Sequence, residues 1–510
     1  QKLGLSWNRL DIIPTRIFGL YTSFSLLINW EFALVRLHRL GLVQSRMILG
    51  GRSGLSISKS GPQWMYRTYH RTVMTNHSRI SGYDKYLTSL SQRRQPSPIR
   101  RLQPLVSLPG MISLGGGLPN PEMFPFTSLS FGLKHPSGPE LLLTLSKSEL
   151  KEALQYSPTA GLPRLCQQLL HLQQLEHGLT IHPTTTSLMV TVGSQDAFCK
   201  AIEMLIEPDG EDIVFLEDPT YSGALAFLQP YGAKLVPIEI DQDGLIPSQL
   251  QSALEREFPN ITTCGQDDDG RRRKRRVLYT IPTAQNPSGA TMSPSRRQEI
   301  YQLAQLYDLI ILEDDPYWFL HPQRQRLPSF LSMDEDGRVL RFDSFSKVIS
   351  SGLRIGFVTG PSPLVEKLNF HVQATNLHNS GVSQAMLQKV LDIWGMDGFQ
   401  AHCQEVAEFY TQRRHAMVQA AERHLVGLAE WSIPNAGMFL WIRIPGILDT
   451  KTWIEEKAAQ SNILLVPGQS FRPWNHVSNH VRASFSTASD EEMDIAMERL
   501  ATLIRDTRTC

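Results

Sequence analysis

A chain of 510 residues is too long for one minimal core, and 41% apolar with 19% charged residues is the balance of a folded protein, not a disordered one. Fifty basic residues against 49 acidic ones leave a net charge of +1, so bulk charge gives no hold on nucleic acid or on an acidic partner. The five cysteines are odd in number, scattered and never in a CxxC pair, which fits a reducing compartment without structural zinc.

The balance is uneven along the chain. Residues 1–83 hold 11 Lys or Arg and only two acids, Asp11 and Glu31. This Arg- and Ser-rich, acid-poor leader reads as a mitochondrial targeting segment or as an extension upstream of the true start, with Met65 and Met74 as candidate starts. The expected compartment is the cytoplasm, or the mitochondrion if the leader is a real signal. Ile17–Trp30 is apolar but stops at Glu31, short of the roughly 20 residues of a membrane span, so no membrane segment is expected.

From about residue 185 short apolar runs recur at strand length: Leu188–Val192, Asp212–Leu216, Lys234–Ile238, Val277–Ile281, Leu309–Leu312, Val339–Phe342 and Ile355–Thr359. Helical patterns separate most of them, including Asp196–Ile206, Pro247–Glu255 and Ser293–Tyr307. Seven strands joined mainly by helices predict an α/β layer around a mostly parallel, buried sheet. Between two of these elements lies the run Arg271–Arg276, preceded by Asp267–Asp269 and read as a solvated loop insertion. Long amphipathic helices follow over Ser383–Trp394 and Phe399–Glu422. Strands near Met438–Ile444, Ile463–Val466 and Val481–Phe485 and a closing helix Glu491–Ile504 then predict a smaller α/β domain. The expected division is a leader at 1–83, an N-terminal arm and part of the small domain at 84–140, a large domain at 141–370 and a small domain at 371–510.

Polar residues cluster where the strands end, the edge at which open α/β sheets bind ligands. The first strand runs into Gly193-Ser194-Gln195 and a helix N-terminus, a ready anion site. Later strands end in Glu217–Tyr221, near Asn286–Gly289, in Glu313–Tyr317 and in Asp343–Lys347, with Arg354 seven residues further on. A lysine among apolar and hydroxyl groups loses ammonium character by desolvation and becomes a nucleophile. Ser344, Ser346, Arg354 and the Ser194 turn suit a dianionic phosphate, while Asp314 and Tyr317 suit the two polar edges of a pyridine ring. Together these are the requirements of pyridoxal phosphate; taken singly, each is a strand-end residue satisfied locally. Gly115–Gly117 lacks the GK[ST] of a phosphate-binding P-loop, and the 15 histidines show no HExxH, so neither nucleotide nor metal is expected.

The segment SFSKVISSGLRIG (Ser344–Gly356) resembles the lysine signature of class I/II, fold-type-I aminotransferases. SLGGGLPNPEMFPF (Ser113–Phe126), ALQYSPTAGLP (Ala153–Pro163), EDDPYWFL (Glu313–Leu320), AEWSIPNAGMFLWI (Ala429–Ile442) and VRASFSTAS (Val481–Ser489) are similar to the kynurenine/2-aminoadipate group, which includes the fungal aromatic amino acid aminotransferases. The resemblance covers roughly residues 80–507 and implies a pyridoxal-phosphate-dependent transfer of an amino group from an L-amino acid to a 2-oxo acid, in a homodimer. It further implies that Lys347 is the Schiff-base lysine and proton carrier, and that Asp314 pairs with the ring nitrogen. Tyr317 and Asn286 would bond the ring 3′-oxygen, and Tyr221 would pack on the ring face. Ser194, Gln195, Ser344, Ser346 and Arg354 would hold the phosphate, with Tyr156 reaching it from the other subunit. Arg482 and Asn286 would bind the substrate, covered by a segment holding Arg100 and Gly117. A lyase or decarboxylase on the same fold, or a non-enzymatic regulator, are the alternatives.

Overall fold

The computed structural model describes residues 79–509, apart from 103–104, 106–107, 137, 180–183, 260–273, 325–326, 459 and 475. Residues 1–78 of the leader, the acidic stretch Asp267–Asp269 and the first half of the basic run therefore lie outside the described residues. The end of the leader belongs to the fold, since Tyr83 is buried and its hydroxyl donates to the Gly337 carbonyl at 2.8 Å. All described residues belong to the unit Thr75–Cys510. Among the described residues no helix is long and apolar enough to cross a membrane.

An antiparallel hairpin, β1 (Ser130–His135) with β2 (Gly138–Thr144), comes first. The main sheet then collects β3 (Thr186–Thr191), β4 (Ile213–Asp218), β5 (Lys234–Asp241), β6 (Gly244–Leu245), β7 (Arg276–Thr280), β8 (Ile310–Asp314), β9 (Val339–Ser344) and β10 (Gly356–Pro361). Their order is β3-β10-β9-β8-β7-β4-β5-β6. All seven expected strands are present; the eighth, β6, is a two-residue hairpin on the end of β5. The β4–β5, β4–β7, β7–β8 and β8–β9 pairs are parallel. β10 runs against both of its neighbours, so β3 and β9 point the same way and the sheet is mostly parallel.

Side-chain alternation distributes these strands between two buried faces. Val214, Leu216, Val277, Tyr279, Ile310, Leu312, Leu340 and Phe342 pack against helices Ser194–Leu205, Ser222–Tyr231 and Ser362–Thr375. Ile213, Phe215, Leu278, Ile311 and Val339 face helices Pro247–Glu257 and Pro294–Leu306. The same alternation sorts the acidic residues at the ends of β8 and β9. Asp314 follows Ile310 and Leu312 onto the first face, whereas Glu313, Asp315, Arg341 and Asp343 occupy the second.

On that second face Arg341, fully buried, lies 3.1 Å from Glu313, 3.1 Å from Asp315 and 2.9 Å from Asp343. Arg341→Met would leave three buried carboxylates without their cation, so a destabilisation of about 3–5 kcal/mol is expected, read as a lower denaturant midpoint. A midpoint within error of the parent's would show that the carboxylates carry protons and do not depend on the guanidinium.

The basic run ends differently from its expected solvated loop. Arg275 is buried on Asp212 at 2.7 Å, and Arg276 opens β7 with its guanidinium 4.0 Å over the Phe258 ring. Pairing and stacking allow cations to enter a strand that hydropathy alone would start at Val277.

The two expected long helices form one run, Gly381–His424, broken at Gly395, whose φ of 63° interrupts the helical backbone. A four-stranded antiparallel sheet follows, ordered β11 (Glu430–Trp431), β12 (Phe439–Arg443), β14 (His480–Ser484), β13 (Val466–Pro467). The strand expected at Ile463–Val466 pairs only from Val466, because Asn462 turns the chain with φ 53° and Leu464 points to solvent. Leu440, Ile442, Val481 and Ala483 pack on the end of the long helix and on the closing helix Asp490–Thr509. Arg482 falls by alternation on the opposite face.

Candidate active site

Because β3, β4, β7, β8 and β9 run in one direction, the residues that follow each of them gather along one edge of the sheet. β10, running the other way, begins at that same edge immediately after Arg354.

The turn after β3 is built for an anion. Gly193 (φ 80°) caps the helix that starts at Ser194, and a Cβ there would meet Arg354 Nη2 at 2.7 Å, so glycine is required where the guanidinium approaches. Arg354 holds φ 53° and donates from Nη2 to the Val192 carbonyl at 3.2 Å and from Nη1 to Ser346 Oγ at 3.2 Å. The Ser346 N–H donates to Ser344 Oγ. Ser344, Ser346 and Arg354 thus form one linked polar cradle beside the helix N-terminus at Ser194, whose side chain hydrogen-bonds Asp314. Gln195 is tied differently: its Nε2 donates to the Gly223 carbonyl at 3.0 Å, linking this helix to the loop of Tyr221.

Lys347 is partly buried beside the cradle. Burial, then the charges of Arg354 and Arg482, push its ammonium pKa below the ordinary lysine range. A cleft of about 740 Å³ runs past it, walled by hairpin residues such as Leu133 and by Trp394 and Phe409 of the long helix.

Asp314 is buried. Burial raises its pKa to about 6 against the opposing hydrogen bonds of Tyr279 and Ser194. Its Oδ2 accepts from the Tyr279 hydroxyl at 2.9 Å, and its Oδ1 has no hydrogen-bond partner. Asp315 is pushed up to about 7 by burial, but Arg341 and the Thr283 hydroxyl hold it on the far face. The pKa of Tyr221 is raised by burial and next by Asp314, and lowered by Arg482 and Arg354.

The second sheet closes the group. Arg482 Nη1 donates to Asn286 Oδ1 at 2.8 Å, and Asn286 Nδ2 reaches the Tyr317 hydroxyl at 3.3 Å. The guanidinium lies 4.1 Å from the Phe439 ring centroid and 4.9 Å from that of Phe471, and its buried Nε has no partner. Two aromatic faces hold the cation while leaving donors free in the plane, the geometry for gripping a carboxylate.

Tyr156, Arg100 and Gly117 stand apart from this cluster. Arg100 Nη1 donates to the Ser157 carbonyl at 2.8 Å and is influenced by Tyr156, whose half-exposed ring packs edge-on to His378 at 5.8 Å. Gly117 is exposed, with open space where a Cβ would be.

Residues 135–500 match the family described as Aminotransferase class I and II. The chain belongs to this family. It is 41% identical over 433 residues to a mitochondrial kynurenine/alpha-aminoadipate aminotransferase of Bos taurus, covering 83% of this chain and 99% of that one. It is 38% identical over 426 residues to the aminotransferase tdiD of Emericella nidulans, covering 82% and 94%. In structure it resembles aminotransferase Aro8 from Candida albicans, with a TM-score of 0.73 and 26% identity over 85% of this chain and all of the other.

The protein is therefore an aminotransferase with pyridoxal phosphate as its cofactor. Three features of this aminotransferase fit that group: the unpartnered Asp314 Oδ1 for a ring N–H, the donor cradle under Gly193 for a phosphate, and a partly desolvated Lys347 for the aldehyde carbon. Motif reading did not find Tyr279, Phe439 or Phe471 as contributors. Tyr279 sits in an apolar strand where only its hydroxyl marks it, and the two phenylalanines matter through Arg482, from which they are remote in sequence.

A carboxyl with a raised native pKa binds more protons folded than unfolded. Asp314 therefore costs the cofactor-free protein stability as pH rises from about 4 to about 6, by an order of 2–3 kcal/mol when fully ionised. Cofactor-free Asp314→Asn should melt above the cofactor-free parent at pH 8 and lose that advantage at pH 4, while its turnover as holoenzyme falls more than tenfold. Equal melting at both pH values would mean that Asp314 is not strained by burial.

Proposed function

We propose that this aminotransferase moves the amino group of an L-amino acid with an aromatic or 2-aminoadipate-type side chain onto a 2-oxo acid such as 2-oxoglutarate. The observation that carries this reading is the Arg482–Asn286–Tyr317 chain set between two phenylalanines beside Lys347. The names of relatives from Bos taurus (kynurenine and alpha-aminoadipate) and from Dictyostelium discoideum (aromatic amino acid) point to the same donors.

When bound, pyridoxal phosphate supplies the sink for the electrons left as the substrate Cα–H bond breaks. The family resemblance supplies the roles of the residues, and their surroundings support them. Ser194, Ser344, Ser346 and Arg354 hold the phosphate, with Gln195 fixing the helix that carries Ser194. Asp314 holds a proton at the ring nitrogen by its negative charge, oriented by Tyr279. Tyr317 and Asn286 bond the ring oxygen, and Tyr221 covers a ring face. Arg482 orients the substrate by its carboxylate, and Lys347, whose ammonium form is disfavoured by burial and then by two nearby guanidinium groups, takes and returns the proton at Nζ. These origins support a division into a large cofactor-binding domain at 141–370 and a small domain at 371–510.

Tyr156 and Arg100 complete the site from a second copy of the chain, and the segment around Gly117 covers the substrate. The N-terminal segment supports this with Ile112, Leu114 and Met123 at 85%, 95% and 80% exposed, apolar surface that a partner would bury. The mitochondrial names of the mammalian relatives, with the basic composition of residues 1–83, favour the mitochondrion over the cytoplasm. A panel of amino donors ranked by kcat/KM against 2-oxoglutarate tests the substrate reading. Aromatic amino acids, kynurenine or 2-aminoadipate should lead, and preference for alanine or aspartate would refute it. Sedimentation should show a dimer, and a fully active monomer would remove the partner's role.

A further inference from the structure

Glu217, at the end of β4, is fully buried, and no cation pairs with it among the described residues. Donors converge on it instead. Thr280 Oγ1 donates to Oε1 at 2.6 Å, the Ile281 N–H points at both oxygens at 3.3 Å, and Gln285 Nε2 donates to Oε2 at 3.0 Å. Burial raises the carboxyl pKa to about 7 despite these bonds, so the fold keeps an acid here at a cost.

The bond to Gln285 leads toward the site. Gln285 Nε2 also donates to the Pro219 carbonyl at 2.8 Å, while its Oε1 accepts from the Ser288 N–H at 2.9 Å and the Ser288 hydroxyl at 2.7 Å. Its own backbone closes the turn, donating to the Ala290 carbonyl at 2.8 Å and accepting from the Gly289 N–H at 2.6 Å. One side chain thus ties the 285–290 turn to the loop after β4. The residue carried on that turn is Asn286, which holds Arg482.

We propose that Glu217 is a positioning residue: through Gln285 it fixes the turn that presents Asn286 to Arg482, and so sets the affinity for the substrate carboxylate. It touches neither substrate nor cofactor. The inference rests on Arg482 being the carboxylate-binding group, and the experiment separates the two claims.

The probe is 3-phenylpropanoate, a carboxylate without the reactive amine, titrated into the holoenzyme alongside steady-state kinetics. Glu217→Gln keeps the shape and the Thr280 contact but sets an amide N–H against a donor. It should raise the probe Kd and the amino-donor KM about tenfold, with kcat within about threefold and the cofactor absorbance retained. Gln285→Ala should do the same, and the double variant should cost no more than Gln285→Ala alone, because both act through one link. Additive losses, an unchanged Kd in Gln285→Ala, or a loss confined to kcat would overturn the proposal. If Glu217→Gln fails to fold, the Kd of Gln285→Ala alone decides it. Arg482→Ala is the control for the underlying reading: an unchanged Kd there would refute the carboxylate role itself, whatever Glu217 does.

Discussion

Lys347→Ala is expected to lose nearly all turnover and the cofactor's covalently linked absorbance, while the protein stays folded. The phosphate cradle of Ser194, Ser346 and Arg354 does not involve the lysine side chain, so pyridoxal phosphate should still associate, reversibly and more weakly. Loss of both the covalent tether and the proton carrier removes two contributions to one barrier; a general base alone is worth about 10²–10⁴-fold. Added methylamine should return part of the activity if the missing element is an amine at that position. Transamination by the unassisted variant near the parent rate would show that another residue carries the chemistry.

Arg482→Ala carries the second large effect, on substrate and not on cofactor. The guanidinium is held by Asn286 and by the rings of Phe439 and Phe471, so its removal also leaves the Asn286 oxygen without its donor. Truncating one partner of a buried charge pair costs on the order of 2–5 kcal/mol, which is roughly 30- to several-thousandfold in kcat/KM. The loss should appear for every amino and 2-oxo acid, with cofactor absorbance unchanged. Arg482→Lys should recover little, because a point charge cannot replace a planar fork between two rings. A loss confined to a single substrate would reassign Arg482 to side-chain selection.

The main sheet was legible because its strands are buried on both faces and read as continuous apolar runs, so all seven stood out. The hairpin Ser130–Thr144 was not, since its apolar run is only Leu141–Leu143, of which Leu143 alone is buried, too short and too exposed to read as a core strand. Arg275 and Arg276 were misjudged for the opposite reason. Charge argued for solvent, and only the positions of Asp212 and Phe258 show why burial is tolerated.

In the site, Ser344, Ser346, Lys347 and Arg354 lie in one short segment of sequence and could be read together, whereas Ser194 comes from the separate turn after β3. The resemblance takes Asp314 over Asp315, and strand alternation supplies the physical difference between them, turning one toward Tyr279 and the other toward Arg341. The aromatic support of Arg482 and the Glu217–Gln285 link join residues 43, 11 and 68 positions apart, which no local pattern reveals.

The most direct test is transfer of the amino group itself. Holoenzyme supplied with ¹⁵N-labelled L-phenylalanine, kynurenine or 2-aminoadipate and with 2-oxoglutarate should yield ¹⁵N-glutamate in equal measure to the 2-oxo acid formed from the donor, with no ammonia or carbon dioxide released. Consumption of the donor with release of ammonia or carbon dioxide and no labelled glutamate would contradict the assignment and make this chain a lyase or a decarboxylase.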